Sequence, residues 1–126
     1  MVVRNVLLAN EVTDGAKTRR LVDLARRADV MVCVDNEKIM DEFARAAASH
    51  QALLSVLVEV DVGLQRCGVP PGEPAVCLAR AAVQKGLRFR GLVGYEGQLL
   101  RKLPGTEKEQ AVAVRAPTHS LGVYRA

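Results

Sequence analysis

The chain has 126 residues, of which 49% are hydrophobic and 3% aromatic, so its length suits one domain with an aliphatic core. Its formal net charge of +4 comes mostly from arginines scattered among helix-like segments, which favours a solvated exterior over a nucleic-acid platform with interleaved aromatic residues. No apolar run approaches the roughly 20 residues of a membrane span, and no leader segment is recognisable. Cys33, Cys67 and Cys77 form no CxxC pair, which indicates reduced thiols in a cytoplasmic protein rather than disulfides or a zinc site.

The first half of the chain predicts two strand–helix units. Residues 5–9 (NVLLA) are a short apolar strand, and Asp14 offers a capping oxygen to a helix that begins near Gly15. Residues 30–34 (VMVCV) are the second strand, and Asp35 is the expected cap of the second helix. Apolar residues recur at helical spacing in both helices: Leu21, Leu24, Ala25 and Ala28 in the first, then Ile39, Phe43, Ala46, Ala47 and His50 in the second.

The second half repeats the pattern. The β-branched run at residues 53–60 predicts a strand that is buried on both faces. Prolines then lead into a helix that begins near Glu73 and ends at Gly86. A fourth strand follows at residues 87–93. The apolar stripe of the third helix consists of Ala75, Leu78, Ala79, Ala82 and Val83.

This alternation predicts an α/β fold with a parallel sheet and right-handed crossovers. Since a complete (β/α) barrel has eight strands and about 250 residues, four units make about half of a TIM-type barrel. We expect residues 1–103 to form this partial barrel domain and residues 104–126, where Pro117 interrupts a weak helical pattern, to form an irregular C-terminal tail.

Polar residues follow every predicted strand, and the carboxyl ends of parallel strands share one edge, where (β/α) barrels keep their active sites. These residues are Asn10, Asp35, Glu59 with Asp61, and Tyr95 with Glu96. Arg66 lies in the loop after the third strand. It could pair with Glu59 or Asp61 and so hold the loop. The two carboxylates could alternatively be an acid/base couple, or could orient Arg66 and its neighbours. Neither histidine, His50 or His119, has a neighbouring ligand that would suggest a metal site.

Four segments resemble the D-threonine aldolase family. They are LLANEV at 7–12, ADVMVCVDN at 28–36, VLVEVDVGLQRCGVPPGEP at 56–74 and GLVGYEGQL at 91–99. This family is close to the eukaryotic-type D-serine dehydratases, and both share the alanine-racemase-type barrel that binds pyridoxal 5′-phosphate. The resemblance covers about positions 4 to 100.

The resemblance implies cofactor-binding roles for two residues. Arg66 matches the arginine that lies against the cofactor ring near its phenolic oxygen, and Tyr95 matches the tyrosine near the pyridine nitrogen. A phenol at that nitrogen makes the ring less electron-withdrawing than a carboxylate would. Asn10, Asp35, Glu59 and Asp61 are expected to support these contacts, whereas Gln98 stands where relatives often have histidine.

Other parts of the family's site are not matched. The resemblance places the Schiff-base lysine upstream of the matched segments, and the phosphate-binding loops and divalent-metal ligands downstream. The lysines of this chain, Lys17, Lys38, Lys85, Lys102 and Lys108, fall on predicted helices or in the tail and not at a strand end. We therefore expect no catalytic residue and no metal ligand in this chain, which looks like an internal fragment that is inactive alone.

The resemblance implies a lyase that cleaves D-3-hydroxy amino acids to glycine and an aldehyde, with D-threonine the leading substrate. Two alternatives remain open. One is a D-serine dehydratase or amino-acid racemase with the same barrel. The other is a non-catalytic half-barrel that forms a homo-oligomer through its open strand edges. No nucleic-acid or membrane partner is expected in any of these cases.

Overall fold

The computed structural model describes residues 3–99 of the chain. Strands and helices alternate in these residues, and a 3₁₀ turn (Gly97–Leu99) follows the last strand. The strands pair in the order β1-β2-β3-β4 and are all parallel, so the predicted α/β fold is confirmed. The elements are β1 (Asn5–Leu8), α1 (Gly15–Ala25), β2 (Asp29–Val34), α2 (Glu37–Ser49), β3 (Ser55–Glu59), α3 (Glu73–Gln84) and β4 (Arg88–Val93).

The two faces of the sheet bury different sets of side chains because residues alternate along each strand. One face packs against the helices and forms the main core, with Val32 and Val56 paired in register and Phe43 fully buried above the sheet. The opposite face carries a smaller apolar cluster of Cys33, Leu57 and Val93, against which Leu7 and Met31 pack. Every residue of β3 is buried, as the uninterrupted apolar run predicted.

The N-cap predicted for α1 is the one observed, whereas the N-cap of α2 differs from the prediction. Asp14 caps α1 by accepting hydrogen bonds from the amides of Ala16 and Lys17, each at 2.9 Å. The predicted cap of α2, Asp35, is wrong. Asn36 caps this helix through its side-chain oxygen, which accepts from the Ile39 amide at 3.0 Å. The helix starts one residue later than expected, so the Asp35 carboxylate stays at the end of β2.

Two residues of the predicted apolar stripes face solvent. Leu24 is 56% exposed and Val83 is 62% exposed. The buried arc of each helix is centred slightly to one side of the predicted stripe, so these residues lie on its flank. The buried residues are Thr18, Leu21 and Val22 in α1, and Ala75, Leu78, Ala81 and Ala82 in α3.

An unpredicted polar cluster joins three strands near their amino ends. Arg90 occupies a bulge in β4, where the pairing with β3 shifts between Val56 and Leu57. Its guanidinium lies 3.0 Å from Asp29 Oδ2, and the Ser55 hydroxyl lies 3.4 Å from Asp29 Oδ1. This contact lies at the edge opposite the predicted site. In such barrels, residues at that edge usually contribute to stability rather than to catalysis.

Some expectations concern residues outside the described range. They include the tail at 104–126, the domain boundary after residue 103, and the positions of Lys102, Lys108 and His119. In residues 3–99, the structure contains no helix long and apolar enough to cross a membrane.

Candidate functional site at the carboxyl edge of the sheet

The loop that follows β3, residues 61–69, is held by hydrogen bonds at both ends. The amide of Val69 donates to the Glu59 carbonyl, and the amide of Asp61 donates to the Val69 carbonyl, each at 2.9 Å. The Asp61 carboxylate then accepts from the amides of Gly63 and Gln65 at 2.8 and 3.0 Å. These bonds give the loop a defined course without regular secondary structure, and we refer to it as the 61–69 loop.

Arg66 and Tyr95, the two residues expected to contact a cofactor, lie together at this edge. The guanidinium carbon of Arg66 is 5.7 Å from the centroid of the Tyr95 ring, within the range of a cation–π contact. The ring occupies space that a side chain at position 97 would need, since a Cβ on Gly97 would collide with it. Arg66 itself is exposed, so its cationic group faces the open side of the edge.

Glu59 ends β3 with its carboxylate turned into the protein. It is 7% exposed, and its Oε1 accepts a hydrogen bond from the Cys67 thiol at 2.9 Å. Burial and this carboxylate raise the pKa of Cys67. The Cys67 side chain in turn raises the pKa of the Arg66 guanidinium. The hydrogen bond between Glu59 and Cys67 was not predicted from the sequence.

Asp35 and Glu11 form a second carboxyl pair beside the loop. Asp35 Oδ2 accepts from the Gly68 amide at 3.1 Å, and its Oδ1 accepts from the Asn36 side chain at 2.8 Å. Burial and the Asp35 carboxylate raise the pKa of Glu11 to about 7. Burial also acts to raise the pKa of Asp35, but hydrogen bonds from Glu11, Asn36 and the Gly68 amide outweigh it and leave this pKa lowered. The pair thus holds one proton on Glu11.

Glu11 was not among the expected site residues. Its signal in the sequence was its place directly after Asn10, two residues past the expected strand end. Asn10 is exposed, and among residues 3–99 its side chain makes none of the contacts described for this edge.

Three buried oxygens at this edge have no hydrogen-bond partner within the described part of the chain: Glu11 Oε1, Glu96 Oε1 and Gln98 Oε1. Glu96 is 8% exposed, and the Gln98 amide nitrogen donates to the Val62 carbonyl at 3.2 Å. Because buried polar atoms in folded proteins are nearly always hydrogen-bonded, the oxygens of Glu96 and Gln98 suit a ligand or a further protein segment that carries donors.

The three lysines of residues 3–99 lie on helices or directly after one. Lys17 and Lys38 are exposed residues in the first turns of α1 and α2, and Lys85 follows α3 with its ammonium 2.6 Å from Asp41. His50 is at the other end of α2, with Nδ1 3.0 Å from Asp23. Within the same residues no group of three or more His, Cys, Asp or Glu side chains could hold a metal ion.

Comparison with known proteins assigns the chain to a family. The family model described as the alanine racemase N-terminal domain matches residues 6–122. The chain belongs to the alanine racemase N-terminal domain family. The match continues past residue 103 into the segment that was expected to be an irregular tail.

The relatives bear out the resemblance to D-threonine aldolase. A D-threonine aldolase of Arthrobacter is 39% identical over 123 residues, which cover 97% of this chain and 32% of that protein. A 3-hydroxy-D-aspartate aldolase of Paracoccus denitrificans is 38% identical over 99 residues, or 77% of this chain and 26% of that protein. The crystal structure of D-threonine aldolase from Filomicrobium marinum matches with a TM-score of 0.85 and 40% identity, over 89% of this chain and 31% of that one.

The chain therefore spans about a third or less of the length of these relatives. Its four strands and three α-helices are part of an alanine-racemase-like barrel, as predicted.

Proposed function

We propose that this chain forms part of the active-site edge of a pyridoxal-phosphate-dependent lyase that acts on D-3-hydroxy amino acids. D-threonine is the leading substrate, with glycine and acetaldehyde as products. The observation that carries the proposal is the Arg66–Tyr95 contact at the carboxyl edge of the sheet, in a chain similar to a D-threonine aldolase along 97% of its length. When bound, pyridoxal phosphate supplies an electron-withdrawing ring that weakens the Cα–Cβ bond of the substrate.

Arg66 and Tyr95 fit the ring-contacting part of such a site. The guanidinium is cationic at all relevant pH values, and its pKa is raised further by the neighbouring Cys67. It can therefore stabilise negative charge on the phenolic oxygen of the cofactor. The Tyr95 hydroxyl offers the pyridine nitrogen a hydrogen-bond partner without a formal charge. The unpartnered oxygens of Glu96 and Gln98 can accept hydrogen bonds from a ligand or from a further protein segment.

The remaining parts of the site come, in this proposal, from segments outside residues 3–99 of this chain. These parts are the lysine that carries the cofactor, the loops that bind its phosphate, and the ligands of a divalent metal. The position of the described lysines supports this division, since Lys17 and Lys38 lie on helices and Lys85 directly follows α3, so that none ends a strand. The 126-residue chain alone then holds the ring contacts but has no turnover.

A chimeric enzyme tests the proposal. This chain replaces the matching third of the Arthrobacter D-threonine aldolase, and acetaldehyde release from D-threonine is measured. We expect retro-aldol cleavage that falls about 100-fold with Arg66→Ala, as loss of a charge-stabilising contact commonly does. Arg80→Ala is the control, because Arg80 is an exposed arginine on α3.

The same chimera separates the alternatives. Pyruvate formation from D-serine, or interconversion of the alanine enantiomers, without cleavage of D-threonine would replace the aldolase assignment with a dehydratase or a racemase. Cleavage of D-threonine by the isolated 126-residue chain would show that the lysine is not supplied from elsewhere.

A second candidate function is a non-catalytic half-barrel that associates with a second copy. The observation that favours it is the pair of sheet edges, since β1 and β4 each have one neighbouring strand within residues 3–99. Unpaired strand edges favour association.

A further inference from the structure

Two glycines flank Tyr95 and Glu96 after β4, and the proposed function gives neither of them a role. Neither Gly94 nor Gly97 has a positive φ, so their backbone conformation does not require glycine. The neighbouring atoms are the constraint at position 97. A Cβ on Gly97 would lie 2.4 Å from Cε1, 2.9 Å from Cζ and 3.1 Å from the hydroxyl oxygen of Tyr95, so a larger residue fits there only if the ring moves.

The Tyr95 ring therefore lies directly on the bare backbone of Gly97. The same ring contacts Arg66, whose guanidinium carbon is 5.7 Å from the ring centroid. We propose that Gly97 is a positioning residue, which by lacking a side chain lets the Tyr95 ring fold back over the 3₁₀ turn and lie against Arg66. This placement is a property of the folded chain, and its value for a cofactor ring rests on the proposed function.

The backbone near Gly97 is held by the loop that follows β3. The Gln98 side-chain amide donates a hydrogen bond to the Val62 carbonyl at 3.2 Å. Gly94 approaches the same residue so closely that a Cβ on it would lie 2.8 Å from Val62 Cγ1. The chain is thus attached to this loop both before and after Tyr95, which leaves the backbone at position 97 little freedom to withdraw from the ring.

A methyl group added at position 97 should therefore displace the ring rather than the backbone. Tyr95 is half-buried, and the three atoms that would collide belong to the far end of its side chain. Rotation to another staggered rotamer turns the ring away from Gly97. Such a rotation removes the aromatic partner of Arg66 and leaves the sheet and its core in place.

NMR of the 126-residue chain tests the placement directly. A nuclear Overhauser effect should join the Gly97 Hα protons to the Tyr95 Hε protons, because one Hα takes the direction of the missing Cβ. The Tyr95 ring current should also shift the Arg66 side-chain protons upfield, and Tyr95→Leu identifies this shift. We expect Gly97→Ala to abolish the shift. Gly15→Ala is the matched control, because Gly15 also lacks a positive φ and a Cβ there would have nothing within 4 Å.

The affinity for pyridoxine 5′-phosphate tests the link to the proposed function. This probe lacks the aldehyde, so it reports non-covalent ring contacts without a lysine. We expect Gly97→Ala to raise its dissociation constant about tenfold in the wild-type background and less than about twofold in a Tyr95→Leu background. An effect that acts through the Tyr95 ring disappears once that ring has been removed. Gly15→Ala should change the dissociation constant less than about twofold.

The outcomes separate the placement of the ring from its use. Absence of the Gly97–Tyr95 proton contact in the wild type overturns the positioning role, as does a Gly97→Ala variant that keeps the Arg66 shift or loses its folded core. An equal loss of affinity in both backgrounds also overturns it, since Gly97 then acts otherwise than through Tyr95. If the shift is lost as expected but the probe does not bind, or binds independently of Tyr95, the positioning role stands and the proposed cofactor contact fails.

Discussion

The Glu11 carboxyl group keeps its proton at pH values where an ordinary glutamate has lost it. Its pKa is raised from 4.5 to about 7 by burial and by the Asp35 carboxylate beside it. The charges that face it come from three elements of the edge: Asp35 after β2, Glu59 at the end of β3, and Arg66, which acts in the opposite direction. A single proton on Glu11 therefore lets the two carboxyl groups lie together.

This pKa predicts how stability depends on pH. Between pH 4.5 and about 7 the folded chain binds a proton at Glu11 that the unfolded chain has lost, so this contribution to the free energy of unfolding is full below pH 4.5 and is lost as the pH rises to about 7. Glu11→Gln keeps a neutral donor toward Asp35 at every pH. We expect this variant to be more stable than the wild type by about 1–2 kcal/mol near pH 8, after allowance for partial solvent exposure.

Urea unfolding at several pH values measures the difference. The stability difference between wild type and Glu11→Gln should vanish near pH 4.5. At lower pH, protonation of Asp35, whose pKa is lowered, affects both proteins alike. Glu42→Gln on α2 is the control for the loss of one carboxylate elsewhere in the chain. A constant difference between wild type and Glu11→Gln at all pH values would contradict the assignment of the proton to Glu11.

The three cysteines should differ in their reactivity, since the thiolate is the reactive form. Cys33 is 2% exposed, and burial raises its pKa to about 12. Burial and Glu59 raise the pKa of Cys67, whereas Cys77 is exposed. Iodoacetamide on the folded chain should modify Cys77 first, Cys67 more slowly, and Cys33 only on unfolding, as followed by peptide mass spectrometry. Modification of Cys67 ahead of Cys77 would argue against the hydrogen bond to Glu59.

At the scale of elements, the hydrophobic pattern was sufficient to locate the strands. Each predicted strand lies within two residues of its observed ends, because strands of a parallel sheet are buried on both faces and read as continuous apolar runs. The pattern did not determine which of two neighbouring polar residues caps a helix. Asp35 and Asn36 are both good caps, and only the start of α2 decides between them.

The candidate site was predictable as a location and less so as a set of contacts. The shared edge of parallel strands placed Arg66, Tyr95, Glu59 and Asp35 in one region. The contacts between Glu59 and Cys67, and between Asp35 and the Gly68 amide, depend on how the 61–69 loop folds back onto β3. A loop course of this kind is set by tertiary hydrogen bonds, which leave no periodic signal in the sequence.

Two glycines, one within the 61–69 loop and one shortly after it, provide a matched test of the loop conformation. Gly68 and Gly72 have nearly equal φ values of 95° and 96°, so alanine is strained at both. A Cβ at Gly68 would also lie 2.7 Å from the Asp61 amide nitrogen and 2.8 Å from the Val60 carbonyl carbon, whereas nothing lies within 4 Å of one at Gly72. We expect Gly72→Ala to cost about 2 kcal/mol of unfolding free energy, as a backbone conformation that only glycine adopts readily commonly does, and Gly68→Ala at least about 2 kcal/mol more because of the added collision.

Urea unfolding measures the loss of unfolding free energy in each of the two variants. Gly68→Ala should in addition weaken the protection of the Asp61 and Val69 amides against hydrogen exchange, because their hydrogen bonds to the carbonyls of Val69 and Glu59 must open to admit the methyl group. Equal costs for the two variants would mean that the loop does not approach β3 as closely as the structure describes.

Within residues 3–99 the helices cover one face of the sheet. Helix residues contribute to the main core on one face, whereas within residues 3–99 the smaller cluster on the other face consists of strand residues alone. This second face is the one that lines the interior when such a sheet closes into a barrel. The candidate site therefore lies at one end of the inner face of the sheet, and the four described strands leave this face open.

Two copies of the sheet supply the eight strands of a closed barrel, and a two-fold axis along the barrel would set β1 of one copy parallel to β4 of the other. We therefore expect the purified 126-residue chain to form a dimer whose fraction rises with concentration, as measured by sedimentation velocity. Leu7→Lys places a charge on the inner face and should weaken association at least about tenfold. Leu53→Lys is the control, because Leu53 is 50% exposed and precedes β3. A wild-type chain that stays monomeric at every concentration, or a dimer unaffected by Leu7→Lys, would exclude closure through this face.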